Sequence, residues 1–296
     1  SSDLLKVFYL VQEKYGVDFG KYKINTVVRR IEKRAQALKL NTLNEYAQYL
    51  EHNQQEISEL YYNMLIGVTK FFRDAEAFNI LSSKVIPALM RDKKPNDDIR
   101  IWVCGCASGE EVYTIAILFN EYAKAKRVHF NFKIFGTDVD DEILARAAAG
   151  SYPIECFEDF PVHLLEQYFE KEKDSYRVIP EIRRYVVFAR HNVLTNAPFT
   201  KMDLVSCRNL LIYFNEEAQK HVLSTFYFSL ITEGALFLGP SESLGKYESG
   251  YQIIDQKWKL YSKIGINRLS KEFLATFQKS QLSTQPAQVQ LQSGSA

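Results

Sequence analysis

Residues 99–111 read IRIWVCGCASGEE, and this stretch decides the interpretation of the chain around it. The first six residues have the length and composition of a short buried strand that ends at Cys104. Small residues follow as far as Gly109, and the apolar residues of 112–122 then predict a helix. Small residues let a ligand approach the backbone, and open parallel sheets bind ligands at the carboxyl ends of their strands. The stretch therefore predicts a ligand site at a strand–helix junction.

The alternation of short strands and helices continues toward the carboxyl end. The further strands predicted are 132–137, 203–207, 234–239 and a last one, 258–263, that could close one edge. Such alternation indicates an α/β fold with a mostly parallel sheet covered on both faces. Residues 151–190 break the pattern, and we interpret them as a small β insertion in which 176–179 and 184–188 pair as a hairpin.

The front of the chain has a different character. Residues 1–92 have the apolar spacing of helices, which predicts a separate all-helical domain. Its best-patterned helix, 22–38, carries on its polar face a set of basic residues: Arg29, Arg30, Lys33 and Arg34. The sheet domain then occupies 93–264. Residues 265–296 combine a weakly amphipathic helix or linker with an uncharged end, rich in Gln and Ser, that we expect to be a disordered tail.

Composition argues against several classes of function. The net charge of +1 disfavours nucleic-acid binding driven by overall charge, and without a run of about 18 apolar residues we expect no membrane insertion. The four cysteines match no disulfide framework, so a cytoplasmic location is expected. Cys104 and Cys106 lack the further ligands of a structural zinc, which predicts no metal. The start at Ser1 has no signal-peptide pattern, and we expect a segment of a larger multidomain chain.

Two carboxylates, Glu110 and Glu111, follow the glycine loop at the start of its helix. They would repel the phosphates that such loops usually bind, and they suit a ligand with hydroxyls and a positive centre. S-adenosylmethionine has a ribose, an ammonium and a sulfonium and carries no phosphate. The alternative is that both acids merely stabilise the amino end of the helix.

Asp138 follows the second predicted strand, where an acid commonly binds ribose hydroxyls in nucleotide-binding sheets. The alternative role for this residue is the N-cap of the next helix. Asp140 is the better-placed cap, which leaves Asp138 for a ligand.

Four motifs stand in order along the chain: TKFFRD at 69–74, GCASGEE at 105–111, GTDVD at 136–140 and CRNLLIYF at 207–214. They resemble the signatures of the chemoreceptor glutamate methyltransferase (CheR) family, and the likeness extends over about residues 1–264. The resemblance implies a class I S-adenosylmethionine-dependent methyltransferase fold, Rossmann-like, with an all-helical amino-terminal domain and a small β insertion. It also implies methyl transfer to glutamate carboxylates of a chemoreceptor in chemotaxis adaptation.

The resemblance implies roles for particular residues. Arg73 would reach the methionine carboxylate of the cofactor, and Tyr213 would face the transferred methyl group; these two are the expected catalytic residues. The other cofactor contacts implied are Thr69, Glu110 or Glu111, Asp138, Asn192, Val193, Asn209 and Leu210. One position departs from the family, which often has Asn where this chain has Gly67. Tyr213 could instead pack in the core, and Arg208 could pair with an acid.

The chemistry needs no general base. A glutamate carboxylate has a reference pKa of about 4.3, so at neutral pH it is ionised and can attack the methyl group directly. The basic residues of helix 22–38 would complement an acidic receptor helix, although most charged helix faces are simply solvated. Reversing Arg30 and Arg34 to Glu would then lower receptor methylation and leave cofactor affinity intact.

Two other functions are compatible with the sequence. One is a non-catalytic domain that senses S-adenosylmethionine or S-adenosylhomocysteine for a larger signalling protein. The other is a nucleotide-dependent oxidoreductase, which the two loop acids disfavour.

Overall fold

The computed structural model describes residues 2–65, 67, 69–94 and 97–265 of the 296-residue chain. The helix or linker and the tail predicted at 265–296 lie, apart from Gly265, outside the described residues. Across the described ranges, no helix is both long enough and apolar enough to cross a membrane.

Four helices form the front of the molecule: α1 Ser2–Tyr15, α2 Ile24–Ala37, α3 Leu43–His52 and α4 Gln54–Met64. Each buries an apolar face, and together these faces make a core separate from that of the sheet. Thr42 begins α3 with a capping box, in which its hydroxyl accepts the Glu45 N–H and the Glu45 carboxylate accepts the Thr42 N–H. An all-helical front domain is present, as predicted, and α1 to α4 form it.

Residues 75–90 are helical, as predicted, but they pack elsewhere. The stretch consists of α5 Ala75–Ile80, a π-helical turn Leu81–Val85 and α6 Ile86–Met90. Its buried side chains, Phe78 and Met90 among them, belong to the core of the sheet. The helical core of the front domain is therefore made by α1 to α4.

The strands are, in chain order, β1 Asp98–Cys104, β2 Asn131–Asp138, β3 Ser151–Pro153, β4 Phe169–Lys171, β5 Ser175–Val178, β6 Val186–Arg190, β7 Met202–Cys207, β8 Leu230–Leu238, β9 Tyr251–Asp255 and β10 Leu260–Lys263. The large sheet has the order β6-β2-β1-β7-β8-β10-β9. Neighbours are parallel from β6 to β8, whereas β10 is antiparallel to both β8 and β9.

Helices cover both faces of this sheet: α7 Glu110–Lys126 and α8 Asp141–Ala149 lie on one face and α11 Glu216–Ser229 on the other. Two shorter helices, α9 Val162–Tyr168 and α10 Pro180–Arg183, pack against β4 and α7 respectively. Strand β1 shows the two-sided burial, because Ile101 and Val103 belong to one core cluster while Trp102 and Cys104 belong to the other. A strand buried on both faces is typical of a parallel sheet between helical layers. The predicted α/β fold is confirmed.

The residues between α8 and β6 form a small antiparallel sheet, with β5 between β3 and β4. The predicted hairpin of 176–179 with 184–188 is wrong. Pro180 begins the single turn α10, which ends the small sheet and returns the chain to the large one. There β6 pairs in parallel with β2, Val186 opposite Ile134. The apolar pattern of 184–188 indicated a strand correctly, but such a pattern does not specify the partner strand.

The last predicted strand, 258–263, is present as β10 but does not close the edge. It lies between β8 and β9, and β9 is the edge strand. Only the first residue of β9, Tyr251, is buried, so the strand lacks the apolar alternation that sequence analysis relies on.

The front domain lies over the carboxyl ends of the central strands. Just before α2, the Lys23 N–H donates to the Tyr213 carbonyl at 2.8 Å. The Tyr61 hydroxyl of α4 donates to the Val139 carbonyl, next to the end of β2, at 2.9 Å. These contacts enclose a cavity between α2 and the strand ends.

Candidate functional site

The cavity has a floor and a roof. The floor is formed by the segments that follow β1, β2, β6 and β7, together with the loop before α5. The predicted site residues that line the cavity are Thr69, Arg73, Glu111, Asp138, Asn192, Val193, Asn209, Leu210 and Tyr213. The fold therefore brings residues of all four sequence motifs to one place.

The two loop acids have different surroundings. Glu111 lines the cavity, and its Oε1 accepts a hydrogen bond from Ser206 Oγ at 2.6 Å. Glu110 does not line the cavity; it is buried, and its two carboxylate oxygens accept from Ser108 Oγ at 2.9 and 2.7 Å. Burial raises the pKa of Glu110. Successive residues of a helix project about 100° apart, so only one of the pair faces the cavity.

Arg208 connects the first and last motifs. Its side chain is 1% exposed, and its guanidinium pairs with Asp74 at 2.6 Å and with Glu111 at 3.1 Å. It also donates to the Arg73 carbonyl at 3.0 Å, and two aromatic rings of the core lie 4.6 and 5.1 Å from it. Pairing with an acid, the alternative role for Arg208, is confirmed. One buried cation thereby fixes the backbone at Arg73 and the carboxylate of Glu111.

Asp138 ends β2 with a carboxylate that the backbone holds in place. Its Oδ2 accepts the Ala107 N–H at 3.0 Å, and its Oδ1 accepts the N–H groups of Val139 and Asp140 at 2.8 and 3.2 Å. Burial raises the pKa of Asp138, and these donors oppose the rise. Asp140 caps α8, because its Oδ1 accepts two N–H groups of the first turn. The assignment of the cap to Asp140 is confirmed.

The segment after β6 gives the floor a partly aromatic end. Asn192 and Val193 line the cavity, and Asn192 Oδ1 accepts the Leu194 N–H at 3.0 Å. His191 lines it as well, with its ring edge-on to Trp102 at 5.4 Å between centroids. Local hydrogen bonding and ring packing thus set the shape of this end of the floor.

Tyr213 lines the cavity from a 3₁₀ turn, Leu211–Tyr213, and is partly exposed. Its N–H donates to the Leu210 carbonyl at 3.1 Å, and its own carbonyl accepts the Lys23 N–H. The alternative in which Tyr213 packs in the core is wrong, because the next residue, Phe214, takes that place at 2% exposure.

Gly67 also lines the cavity, at the position that departs from the family pattern. A Cβ at Gly67 would overlap Cδ1 of Ile143, which lines the cavity too. In this chain an isoleucine therefore occupies space that a larger residue at 67 would need.

The roof is formed by the front domain, and sequence analysis did not assign it to the site. Its residues are Tyr22, Thr26, Val27, Arg30, Met64 and Leu65. Tyr22 forms an isolated β-bridge with Phe214, and their ring centroids lie 5.0 Å apart. Burial raises the pKa of Tyr22. The sequence contained one signal for these roof residues. Thr26 and Arg30 are spaced at i and i+4, which places both on one face of α2.

The four basic residues of α2 do not make a single docking face, which corrects that expectation. Arg29 and Lys33 are exposed, whereas Arg30 lines the cavity. Arg34 pairs with the buried Glu56 at 2.6 Å. Reversing Arg34 to Glu would place two carboxylates together inside the front domain, so the double reversal would disturb folding as well as docking.

The lining fits a cationic, hydroxyl-bearing cofactor. Glu111 and Asp138 are both held as acceptors, and Asn209 Oδ1 is buried without a hydrogen-bond partner among the residues that the structure describes. Cys104 and Cys106 line the same cavity as free thiols. A sheet of this order with acidic loops at its carboxyl edge defines the class of S-adenosylmethionine-dependent methyltransferases.

Comparison with known proteins gives the family. Residues 67–260 match the S-adenosylmethionine-binding domain of CheR methyltransferases, and residues 2–65 match the all-alpha domain of CheR methyltransferases. The chain belongs to the CheR methyltransferase family. The resemblance, the fold and the cofactor inferred from the motifs are thereby confirmed.

Individual relatives differ in length. The chain is similar to an uncharacterized 104.1 kDa protein of Rhodobacter capsulatus, with 40% identity over 84% of this chain and 26% of that protein. It is similar to a chemotaxis protein methyltransferase of Borreliella burgdorferi, with 30% identity over 82% of this chain and 88% of the relative. Chemotaxis protein methyltransferase 2 of Vibrio cholerae shares 32% identity over 81% of this chain and 85% of its own length. The chain thus spans only 26% of the Rhodobacter relative.

Proposed function

We propose that this chain is a protein-glutamate O-methyltransferase that esterifies glutamate side chains of a chemoreceptor in chemotaxis adaptation. The observation that carries the proposal is one cavity lined by two held acids, Glu111 and Asp138, and by Arg30 and Arg73, two arginines besides the one that pairs with Glu111. The acids suit a cationic, hydroxyl-bearing cofactor, and arginines suit carboxylates. Relatives named chemotaxis protein methyltransferase support the same substrate class.

The floor would bind the cofactor. When bound, S-adenosylmethionine supplies a methyl group on a positively charged sulfur. In this proposal Glu111 accepts from its ammonium, Asp138 accepts from its ribose hydroxyls and Arg73 pairs with its carboxylate. The further contacts proposed are Thr69, Asn192, Val193, Asn209 and Leu210.

The roof and Tyr213 would handle the substrate. A glutamate carboxylate is ionised at neutral pH, since its reference pKa is about 4.3. Arg30 would pair with the entering carboxylate, and Tyr213 would orient it toward the methyl group. Catalysis then rests on alignment and on the exclusion of water by the roof, without a general base.

Docking of the receptor would use the exposed part of α2. Arg29 and Lys33 are the proposed contacts for an acidic receptor helix, with Arg30 at the cavity itself. Exposed charges are screened beyond about 8–10 Å at physiological salt, so docking should weaken as salt rises. The cytoplasmic helices of a chemoreceptor are the proposed partner, which implies a cytoplasmic location. The 104.1 kDa relative supports a larger multidomain parent chain.

A methyl-transfer assay tests this function. The protein would be incubated with methyl-labelled S-adenosylmethionine and the cytoplasmic fragment of a chemoreceptor, and with a matched fragment whose methylatable Glu residues are changed to Gln. We expect label only in the first fragment, in an ester that mild base releases. Label in a base-stable bond, or no transfer to any receptor fragment by a protein that binds S-adenosylhomocysteine, would contradict the proposal.

A further inference from the structure

Glu242 is a buried acid outside the four motifs. It lies in the turn after β8 and is 4% exposed. Its carboxylate accepts three backbone N–H groups, from Gly239 at 2.6 Å, Asn209 at 3.1 Å and Leu211 at 2.8 Å. Two of these donors flank Leu210, so one side chain determines the path of the backbone on both sides of a cavity residue.

The segment that Glu242 holds has an unusual backbone. Asn209 has a φ of +60°, in the left-handed region that non-glycine residues seldom adopt. A conformation of this kind persists where the surroundings over-determine it. The bonds from Glu242 to the N–H groups of Asn209 and Leu211 are the contacts that do so here.

Gly239 makes the close approach of this turn possible. A Cβ at Gly239 would lie 2.9 Å from the Asn209 nitrogen and 2.8 Å from Glu242 Oε2, both closer than real Cβ contacts allow. The end of β8 therefore accepts no side chain at this position while Glu242 holds Asn209.

We propose that Glu242 is a positioning residue for the cofactor: its carboxylate fixes Asn209 and Leu210 in the geometry that the cavity needs. The inference rests on the proposed placement of the cofactor against these two residues, both of which line the cavity. Glu242 does not line the cavity, so it acts through the backbone and touches no ligand.

The chemistry of the bonds explains why an acid is needed. All three partners are donors, and an ionised carboxylate offers only acceptors. A glutamine at this position would turn its NH₂ group toward Leu211 N–H in one orientation and toward Asn209 and Gly239 N–H in the other. Either orientation sets donor against donor, and the segment then moves away from the position that Glu242 gives it.

The test compares S-adenosylhomocysteine binding, by calorimetry above neutral pH, in the wild-type protein and in Glu242→Gln. We expect the dissociation constant to rise about tenfold or more, the loss of roughly one buried charged hydrogen bond. Glu248→Gln, the same change at an exposed position in the following turn, should stay within about twofold of the wild type. Val222→Ala, a truncation in the core of α11, controls for a general loss of stability and should also bind normally below its melting temperature.

A spectroscopic signature separates positioning from mere folding. The Gly239 nitrogen lies 2.6 Å from Glu242 Oε2. The amide proton in this short hydrogen bond should resonate far downfield in the wild-type protein and lose that shift in Glu242→Gln. If Glu242→Gln does not fold, Gly239→Ala replaces it, because the added methyl group would crowd both the Asn209 nitrogen and Glu242 Oε2, and the hydrogen bond between them would lose its geometry. We expect weaker S-adenosylhomocysteine binding in that variant too.

The outcomes distinguish this inference from the proposed function. Wild-type-like binding of S-adenosylhomocysteine by a folded Glu242→Gln or Gly239→Ala protein would overturn the role of Glu242. A wild-type protein that binds S-adenosylhomocysteine but methylates no receptor would overturn the proposed function, while the effect of Glu242→Gln on binding would still support the positioning role.

Discussion

The floor and the roof of the cavity are built in different ways. The floor acid Glu111 lies in the first turn of α7, and Asp138 lies at the end of β2. Each accepts several hydrogen bonds that hold its carboxylate in place. Roof residues such as Val27 and Arg30 lie on α2, a helix of the separate front domain. The sheet itself thus fixes the floor, which is the half proposed to bind the cofactor, whereas the roof, proposed to meet the substrate, depends on how a second domain docks.

Polar contacts and ring packing join the roof to the floor. Arg190, at the end of β6, donates to the Tyr15 carbonyl at 2.6 Å, and the Tyr61 hydroxyl donates to Val139. The Tyr22–Phe214 bridge adds a contact beside Tyr213. Changes at the floor acids that face the cavity should therefore alter cofactor binding first, and changes in the roof should first alter front-domain stability or substrate turnover.

The largest effect is expected on stability, when the buried charge of Arg208 is removed from the floor. In Arg208→Met the carboxylates of Asp74 and Glu111 lose their partner, and Glu111 has a side chain only 12% exposed. We expect urea unfolding to show a loss of about 3–5 kcal/mol in the free energy of unfolding. Lys220→Met, which removes an exposed pair with Glu216, should cost less than about 0.5 kcal/mol. Equal losses in the two variants would refute the role of Arg208 as a buried link.

A smaller effect is expected at Asp138, in binding. Asp138→Ala removes the acceptor for the cofactor hydroxyls, and calorimetry should show S-adenosylhomocysteine affinity weaker by about 1–3 kcal/mol. Asp141→Ala, at an exposed neighbouring acid, is the control and should bind as the wild type does. Unchanged affinity in Asp138→Ala would remove this residue from the site.

Affinity should also depend on pH through Asp138. Burial raises its pKa, so the carboxyl group takes up its proton at a higher pH than an ordinary aspartate does. The ionised form is the acceptor, so affinity should be complete above the raised pKa and decline as pH falls through it. A titration of S-adenosylhomocysteine binding toward acid pH checks the sign; affinity that increases as the carboxyl protonates would contradict it.

The smallest effect is expected on the stability of the front domain, when Arg34 loses its charge. Arg34→Gln loses the ion pair with Glu56, and we expect a loss of about 1–2 kcal/mol in stability, measured by urea unfolding. Arg29→Gln on the same helix is exposed and should change stability by less than about 0.5 kcal/mol. If both variants unfold alike, Arg34 does not support the roof.

The fold and the two floor acids could be predicted because their signals are local, whereas the other floor residues were expected only from the resemblance of the four motifs to a known family. In the stretch that ends at Glu111, a strand, a loop of small residues and an acid lie within a few residues of one another. Asp138 could be predicted because it is an acid at the end of a strand. The hairpin was misassigned because pairing is decided by tertiary structure, which carried Val186 to the large sheet.

The roof and the positioning residues could not be predicted for a related reason. The spacing of Arg30 and Arg34 in the sequence places both on one face of α2. In the structure, however, Arg30 lines the cavity and Arg34 pairs with Glu56 of α4. Glu242 accepts hydrogen bonds from the N–H groups of Asn209 and Leu211, which are 33 and 31 residues away in the chain, and no residue pattern encodes such a contact.

One paired measurement tests whether the floor binds the cofactor and the roof meets the substrate. S-adenosylhomocysteine affinity and receptor methylation would be measured for the wild type, Glu111→Gln and Arg30→Gln. We predict that Glu111→Gln weakens S-adenosylhomocysteine binding about tenfold, while Arg30→Gln keeps affinity within about twofold and lowers kcat/KM for the receptor about tenfold. The reverse pattern, with cofactor affinity lost in Arg30→Gln and retained in Glu111→Gln, would contradict the account.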